Sequence, residues 1–239
     1  MPARIEDPEM LRVLEWVSAI ARASGQPLML DSGTLLGVQR DGELIASDDD
    51  VDLAAPDGCQ ETIGKALSGH GELKVWRYGR RIYKYQLKGV GLPGERMVEI
   101  KFFRPHGEDW FCPSISSRFM PDGEAQARSA NPTNRRQSVI LPFIKRWLRG
   151  CTDFLYALDC SRPPSSWFLR ANSWVIPGAY FEQLRPLSDA FPDCMVPVDW
   201  QGYLAFRYGE WKRPAARWNY KRDDGGYRLI QPRSFSDRS

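Results

Sequence analysis

The chain has 239 residues, of which 42% are hydrophobic, 26% charged and 12% aromatic. These proportions are those of an ordinary globular protein, and they exclude collagen-like, coiled-coil and intrinsically disordered chains. Lys and Arg (33) nearly balance Asp and Glu (30), so the net charge of +3 gives no argument for a nucleic-acid partner.

Two features of the sequence bear on the compartment in which the protein works. No apolar run reaches the roughly 18 to 20 residues that a membrane-spanning helix needs, and the first residues lack the hydrophobic segment of a secretory signal. The five cysteines form no C-x-x-C pair, which argues against a disulfide framework or a zinc site. We therefore expect a reduced, cytoplasmic setting, with peripheral membrane contact left open.

The chain opens with signals for a helix, a short strand and a second helix. Asp7 and Pro8 suit the N-cap and the first helical position, and Gly25 suits the end of the same helix. The apolar run 27–30 predicts a buried strand. Residues 34–40 predict a short helix whose first backbone N–H groups have no intrahelical acceptor.

Strands are expected in the next part of the chain and helices in the last. The predicted elements are helices over 61–68, 140–148 and 199–208 and strands over 74–78, 81–88 and 97–103. Between about 105 and 134 the composition is that of loops rich in Pro, Ser and Asn. We expect a catalytic core over residues 1–105 and a loop-rich, more helical region over 106–239, packed with the core as one unit.

The strongest chemical signal is the acidic run Asp-Asp-Asp-Val-Asp at 48–52. On a strand, Asp48, Asp50 and Asp52 would share one face while the apolar neighbours of the run pack behind them. Several anions on one face repel one another unless a hard cation compensates them, which favours a site for Mg²⁺ or Mn²⁺. The alternative is a solvated acidic loop, against which the apolar neighbours argue.

An acid further along the chain strengthens this interpretation. Glu99 lies among apolar residues on a predicted strand, where a charged side chain is unexpected unless it has a function or a partner. If that strand lies beside the one carrying Asp50 and Asp52, Glu99 is a third acid at the same site. Phosphoryl or nucleotidyl transfer uses carboxylates to bind metal and to orient or deprotonate the attacking hydroxyl. Taken alone, Glu99 is better interpreted as a surface residue of an edge strand.

A small-residue pair lies just upstream of the acidic run. Gly33-Thr34 at the start of a helix lets backbone N–H groups approach a phosphate closely. Such a pair is more often a plain turn with a cap. Followed by Asp-x-Asp, however, it resembles the nucleotidyltransferase fold of the polymerase-β type.

Two blocks near the two ends of the chain are more specific. The first is Leu-Asp-Ser-Gly-Thr-Leu-Leu-Gly at 30–37, with Arg40 and Asp-Asp-Asp-Val-Asp-Leu at 48–53. The second is Val-Pro-Val-Asp at 196–199, Tyr-Leu at 203–204 and Arg-Tyr-Gly-Glu-Trp at 207–211, with Pro214 after it. Together they closely resemble the LicD/fukutin family of phosphotransferases. The resemblance covers most of the chain except about residues 104 to 165.

The resemblance implies both a fold and an activity. The fold is α+β, with the mixed sheet and flanking helices of a polymerase-β-like nucleotidyltransferase. The activity is transfer of a phospho-alcohol group, such as phosphocholine or ribitol phosphate, from a CDP-activated donor to a hydroxyl of a glycan or glycolipid, with release of CMP. No stable nucleic-acid partner is expected.

The resemblance also implies roles for individual acids. Asp50 and Asp52 would hold Mg²⁺ or Mn²⁺, and Asp48 would assist the same metal cluster. Asp50, Asp52 and Glu99 would be the catalytic acids, with Glu99 where the family more usually has Asp.

Substrate binding is implied for a second set of residues, namely Gly33, Thr34, Gly37, Arg40, Tyr208 and Trp211. The glycines and Thr34 would shape a turn that faces the phosphates, and Arg40 would contact a phosphate, since a guanidinium matches phosphate geometry. Tyr208 and Trp211 would line the donor or acceptor pocket. The alternatives are a surface arginine and aromatic side chains that pack the last helix on the core.

Two other functions stay open. A nucleotidyltransferase that adds a nucleotide to a small molecule, a protein or an RNA end would use the same acids. A non-catalytic module would instead bind an anionic membrane or nucleic acid through the basic segment 135–149, although such a segment is more often the solvated face of a helix.

Overall fold

The computed structural model describes residues 5–78, 81–117, 169–215 and 217–229. The helices in these ranges are α1 (Pro8–Ser24), α2 (Ser32–Arg40), α3 (Gln60–Ala66), α4 (Ala179–Glu182), α5 (Trp200–Tyr208) and α6 (Tyr220–Asp223), with a 3₁₀ turn at Pro93–Glu95. The strands are β1 (Leu28–Leu30), β2 (Asp50–Pro56), β3 (Glu72–Tyr78), β4 (Arg81–Lys88), β5 (Met97–His106), β6 (Asp109–Ser117), β7 (Leu169–Pro177), β8 (Leu184–Ser188), β9 (Phe191–Pro197) and β10 (Tyr227–Leu229).

The chain divides into two compact units. The first comprises Met1–Trp76, Ile82–Cys112 and Val175–Tyr227, and the second comprises Arg77–Arg81, Pro113–Trp174 and Arg228–Ser239. The described residues of the second unit are all in strand segments. The predicted boundary between residues 105 and 106 stays a prediction.

The first unit is built on a mixed sheet with the strand order β6-β5-β2-β1-β9-β8. β2 runs parallel to β5 and antiparallel to β1, while β1 runs parallel to β9. β4 and β6 pair antiparallel with successive parts of β5, and β8 pairs antiparallel with β9. The predicted α+β class, with a mixed sheet and flanking helices, is confirmed.

The first helix forms as its end signals predict. The carboxylate of Asp7 accepts the N–H groups of Glu9 and Met10 at 3.3 and 2.9 Å, and Gly25 ends the helix in the left-handed conformation at φ 63°. The buried apolar side chains of α1 recur at helical spacing and pack against β9.

The carboxy-terminal part contains more strand than its composition indicates. The predicted helix over 199–208 is confirmed as α5, capped by Asp199 and ended at Gly209. The prediction of loops directly after residue 105 is wrong for β6, which turns back on β5 through a tight hairpin that pairs His106 with Asp109. The rest of the predicted loop region and the predicted helix over 140–148 lie outside the described residues. Among the helices that the structure describes, none is long and apolar enough to cross a membrane.

Candidate active site

The predicted acids lie on two neighbouring strands and in the turn before them. The parallel register of β2 and β5 places Asp52 directly beside Glu99, so the condition under which Glu99 joins the other acids is met. β2 begins at Asp50, and Asp50 and Asp52 share one face because side chains alternate along a strand. The expectation that Asp48 lies on the same strand is wrong, since Asp48 precedes it.

A buried lysine joins the two strands. Lys101 follows Glu99 by two positions on β5, and its Nζ donates to Asp52 Oδ1 at 2.6 Å. The same Nζ lies 3.5 Å from Glu99 Oε1 and 3.8 Å from Asp31 Oδ2, and the lysine side chain is only 4% exposed. Burial by itself would lower the pKa of Lys101, but the surrounding carboxylates, Asp52 first, raise it well above its ordinary value. Lys101 is therefore a fixed, buried cation.

Glu99 receives two further donors from β4. Lys84 Nζ and the side-chain amide of Gln86 both donate to Glu99 Oε2, at 2.9 and 3.0 Å, and Trp76 Nε1 donates to Gln86 Oε1 at 2.7 Å. Burial opposes ionisation of Glu99, but Lys101 and Lys84 lower its pKa below the ordinary value. A carboxylate with a lowered pKa is a weak base, so these contacts hold Glu99 as a fixed anion.

The acids at the start of β2 are not balanced in this way. Carboxylate oxygens of Asp48, Asp49 and Asp50 lie within 4.8 Å of one another. Burial, followed by repulsion from Asp52 and Asp48, raises the pKa of Asp50 to about 9, and burial also raises the pKa of Asp48. Clustered carboxylate oxygens that destabilise one another's charge suit a hard divalent cation such as Mg²⁺. Asp49, which the sequence analysis did not single out, belongs to this cluster.

Gly33 lets the carboxylate of Asp48 approach α2. A Cβ atom at Gly33 would collide with Asp48 Oδ2. The helix begins at Ser32, earlier than predicted, with Asp31 as the N-cap whose Oδ1 accepts the Ser32 N–H at 2.7 Å. Gly33 and Thr34 therefore lie in the first turn, where helix geometry offers their N–H groups no intrahelical acceptor.

Thr34 and Gly37 make close internal contacts. Thr34 is 3% exposed, and its Oγ1 accepts the backbone N–H of Asp52 at 2.9 Å, which ties α2 to the strand that carries the acids. A Cβ atom at Gly37 would lie 2.5 Å from the carbonyl oxygen of Glu43, so the glycine lets the following turn approach the helix. The substrate contacts predicted for both residues stay predictions.

Arg40 and Trp211 have partners away from the acids. The guanidinium of Arg40 pairs with the carboxylate of Asp41, with Nη2 at 2.6 Å and Nε at 2.9 Å from Oδ2. Trp211 is 9% exposed and packs edge-on against Trp200, with ring centroids 5.6 Å apart. The geometry of Trp211 supports the packing alternative, and no described contact joins either residue to the acidic cluster.

Tyr208, by contrast, lies close to the acids. It is the last residue of α5, and its ring centroid is 5.0 Å from that of Trp218. Burial raises the pKa of Tyr208, Arg207 opposes the rise, and the carboxylate of Asp52 adds to it. The predicted placement of Tyr208 near a substrate site is compatible with this position and stays a prediction.

A second set of ion pairs anchors α5 to the start of α2. Arg207 is 1% exposed, and it donates through Nη1 to Asp31 Oδ1 at 2.8 Å and through Nη2 to Ser32 Oγ at 3.0 Å. Its Nε and Nη2 also form a two-pronged pair with Asp224 at 2.8 and 2.7 Å. The hydroxyl of Tyr203 bonds to Asp31 as well. Burial would raise the pKa of Asp31, but Arg207 foremost among its partners brings it down to about 2.

The sequence analysis assigned no role to four charged residues of this region. Lys101 had a signal, because it follows Glu99 at the spacing of one strand face. Arg207 also had one, since Tyr203 and Arg207 are four residues apart on α5 and so lie on one helix face. No local pattern pointed to Asp31 or Asp224, because their partner Arg207 is 176 residues away from the first and 17 residues away from the second.

A family model described as LicD/FKTN/FKRP, nucleotidyltransferase domain, matches residues 25–151. This range contains the acidic run, Glu99 and Lys101, but not Arg207. A search of curated proteins finds no relative. Proteins of the matched family are in general transferases of phospho-alcohol groups. Because the match covers more than half of the 239 residues, the chain belongs to the LicD/FKTN/FKRP family.

Proposed function

We propose that the protein is a metal-dependent transferase that moves a phosphocholine- or ribitol-phosphate-like group from a CDP-activated donor to a glycan hydroxyl, with release of CMP. The observation that carries the proposal is the meeting of Asp50, Asp52 and Glu99 beside the first turn of α2. The family of the chain gives this constellation a chemical context, since its members transfer phospho-alcohols in general.

The metal in this proposal is Mg²⁺ or Mn²⁺, and Asp48, Asp49 and Asp50 would hold it. Their oxygens lie close enough together to share one ion, and the raised pKa of Asp50 marks a repulsion that a cation would relieve. Such an ion, when bound, neutralises phosphate oxygens of the donor. The family resemblance implies Asp52 as a further metal ligand.

The start of α2 supports binding of the donor phosphates. The N–H groups of Gly33 and Thr34 belong to the positive end of the helix dipole, and Asp48 lies against Gly33. Phosphate oxygens at this place would meet both the helix start and the acids that would hold the cation. Tyr208 is the aromatic side chain that we propose for the same substrate.

Two carboxylates are candidates to orient or deprotonate the acceptor hydroxyl. Glu99 has one oxygen bound to both Lys84 and Gln86 and the other 3.5 Å from Lys101. Asp52 is fixed through Oδ1 by Lys101, and no described contact engages its Oδ2. The geometry therefore favours Asp52 for contact with the acceptor and Glu99 for holding the lysines.

The decisive experiment measures donor turnover. Purified full-length protein with Mg²⁺ is incubated with CDP-choline, CDP-ribitol or CDP-glycerol and candidate glycan or glycolipid acceptors, and CMP release is followed. A thermal-shift screen of the same donors and of nucleoside triphosphates, with and without Mg²⁺, selects the combinations to test. The absence of CMP release from every donor would contradict the proposal.

A nucleotidyltransferase that leaves the nucleotide on the acceptor is the second candidate. The family description itself names a nucleotidyltransferase domain, and the same acids would serve this reaction. Mass spectrometry of the product separates the two, since the acceptor gains either the phospho-alcohol or the nucleoside phosphate. The basic segment 135–149 of the binding-only hypothesis lies outside the described residues, so no observation favours that function.

A further inference from the structure

The charged residues of the site fall into two groups, which differ in how far cations compensate the carboxylates. The inner group has four carboxylates and three cations, namely Asp31, Asp52, Glu99 and Asp224 with Lys84, Lys101 and Arg207. The outer group is the three neighbouring carboxylates of Asp48, Asp49 and Asp50. Near the outer group, Arg96 donates its Nε to the backbone carbonyl of Asp48 at 3.2 Å, while its Nη1 lies 3.5 Å from the carboxylate of Glu9. The negative charge that most needs a counter-ion therefore lies on the outer group.

We propose that the site holds one divalent cation, on the outer group, and that the ammonium of Lys101 serves Asp52 and Glu99 in place of a second cation. This inference deepens the proposed function, and it rests on that proposal for the role of the cation in the reaction. It gives Asp52 a different partner from the metal that the family resemblance implies.

The position of Lys101 Nζ carries the argument. Two-metal sites for phosphoryl transfer hold ions about 3.5 to 4 Å apart, bridged and flanked by carboxylates. Asp52 and Glu99 are side by side in register, and Nζ lies 2.6 Å from one carboxylate and 3.5 Å from the other. A positive charge already occupies the place where a second ion would contact both acids.

Displacing Lys101 to admit a second ion is unfavourable. The lysine side chain is 4% exposed and that of Asp52 is 12% exposed, so the pair is shielded from water. An ammonium that lost its carboxylates without reaching solvent would be an uncompensated buried charge, which is strongly destabilising.

Lys84 provides a matched comparison within the same sheet. It faces Lys101 across the β4–β5 pairing, and its Nζ binds Glu99 at 2.9 Å. Its side chain is 17% exposed, and no described contact joins it to Asp52. Removing Lys84 therefore takes away one cation without emptying the place between Asp52 and Glu99.

The test counts bound Mn²⁺ ions on the full chain, by titration with detection of free Mn²⁺ by electron paramagnetic resonance. We expect one ion on the wild-type protein, two on Lys101→Met, and one on Lys84→Met. Asp50→Asn should lose the ion. Asp52→Asn should keep it, with affinity lowered by no more than about a hundredfold, as expected of a carboxylate beside the ligands that is not itself a ligand.

The wild-type, Asp52→Asn and Lys101→Met arms each have an outcome that overturns the inference, and so do a second ion on Lys84→Met and a retained ion on Asp50→Asn. Two ions or none on the wild-type protein would do so, and so would loss of the ion in Asp52→Asn. A folded Lys101→Met protein that binds one ion would show that the lysine does not exclude a second. If Lys101→Met fails to fold, the wild-type count and the Asp52→Asn arm still decide.

The ion count is independent of the proposed reaction. A protein that binds one Mn²⁺ but releases no CMP from any donor would retain the assignment of Lys101 and lose the proposed function. A protein that releases CMP and binds two ions would keep the function and lose this assignment.

Discussion

The inner and outer groups of the site contain the same kinds of acid in opposite electrostatic situations. In the inner group, the buried carboxylates of Asp31 and Glu99 contact buried or half-buried cations, and their pKa values fall. The pKa of Asp52 instead rises to about 6, because burial and the neighbouring carboxylates outweigh the contact with Lys101. In the outer group, the acids mainly face one another, and the pKa of Asp50 rises to about 9. Contacts that lower an acid's pKa stabilise the fold, whereas contacts that raise it leave the acid ready to bind a cation. We therefore propose that the inner group mainly stabilises the fold and that the outer group binds the ion.

The largest expected effect is on turnover in Asp50→Asn. Replacing a proposed metal ligand removes an interaction worth several kcal/mol in the transition state, so we expect CMP release to fall by at least about a thousandfold. The stability of the metal-free protein should not fall, because a carboxyl with a pKa of about 9 is already uncharged at neutral pH and the amide replaces it without adding charge. Activity and urea unfolding are measured on the same preparation.

Two results for Asp50→Asn would break the comparison. Retained turnover would remove Asp50 from the proposed chemistry. A large loss of stability without metal would show that the outer group also supports the fold.

Arg207→Met should have the largest effect on stability. The change leaves Asp31 and Asp224 buried without their main cation, and breaking a buried ion pair costs about 3 to 5 kcal/mol. The matched control is Arg22→Met, whose pair with Asp193 is exposed (62% and 29%) and should contribute less than about 1 kcal/mol. Urea unfolding compares the two variants, and equal losses would refute the assignment of stability to the inner group.

The pH dependence of stability should report on Asp31. Its pKa is about 2 in the folded protein and 3.8 in the reference state, so its ionised form stabilises the fold fully above pH 4 and this stabilisation is lost as the pH falls towards 2. The difference corresponds to roughly 2 kcal/mol. Unfolding free energies at about pH 5 and pH 2.5 should differ less in Asp31→Asn than in the wild type, by about two thirds of that amount, because the folded carboxyl is still mostly ionised at pH 2.5. An identical pH slope in the two proteins would contradict the role of Asp31.

Gly33→Ala should have the smallest effect and the most local one. The added methyl group collides with the carboxylate of Asp48, which must move away from its neighbours. We expect Mn²⁺ affinity to fall about tenfold, equivalent to about 1.4 kcal/mol, with a small change in unfolding free energy. If Mn²⁺ affinity is unchanged, the position of Asp48 against Gly33 does not matter for the ion.

Local signals predicted the elements that carry the site. The cap at Asp7, the end at Gly25 and the limits of β4 are properties of a few adjacent residues, and the structure has them as predicted. For Glu99 the sequence indicated only that an acid in an apolar strand needs a polar neighbour, and the adjacency to Asp52 was a condition rather than a prediction.

Long-range pairing could not be predicted from the same signals. Asp31 lies in the quoted sequence block, but its partner Arg207 is 176 residues away, and no local pattern names it. The balance of charges is a property of the assembled sheet and helices. The sequence therefore indicated which acids could share a site without showing that Lys101 contacts two of them.

The contact between Arg207 and Asp31 also has a consequence for the order of folding. The range that matches the family, residues 25–151, includes Asp31 but ends well before Arg207. During synthesis Asp31 is made first, and most of the chain follows before its counter-ion Arg207 is made. Contacts of such long sequence separation close late and slow folding. We therefore expect the start of α2, and with it the place proposed for the donor phosphates, to reach its final structure only after helix α5 has docked.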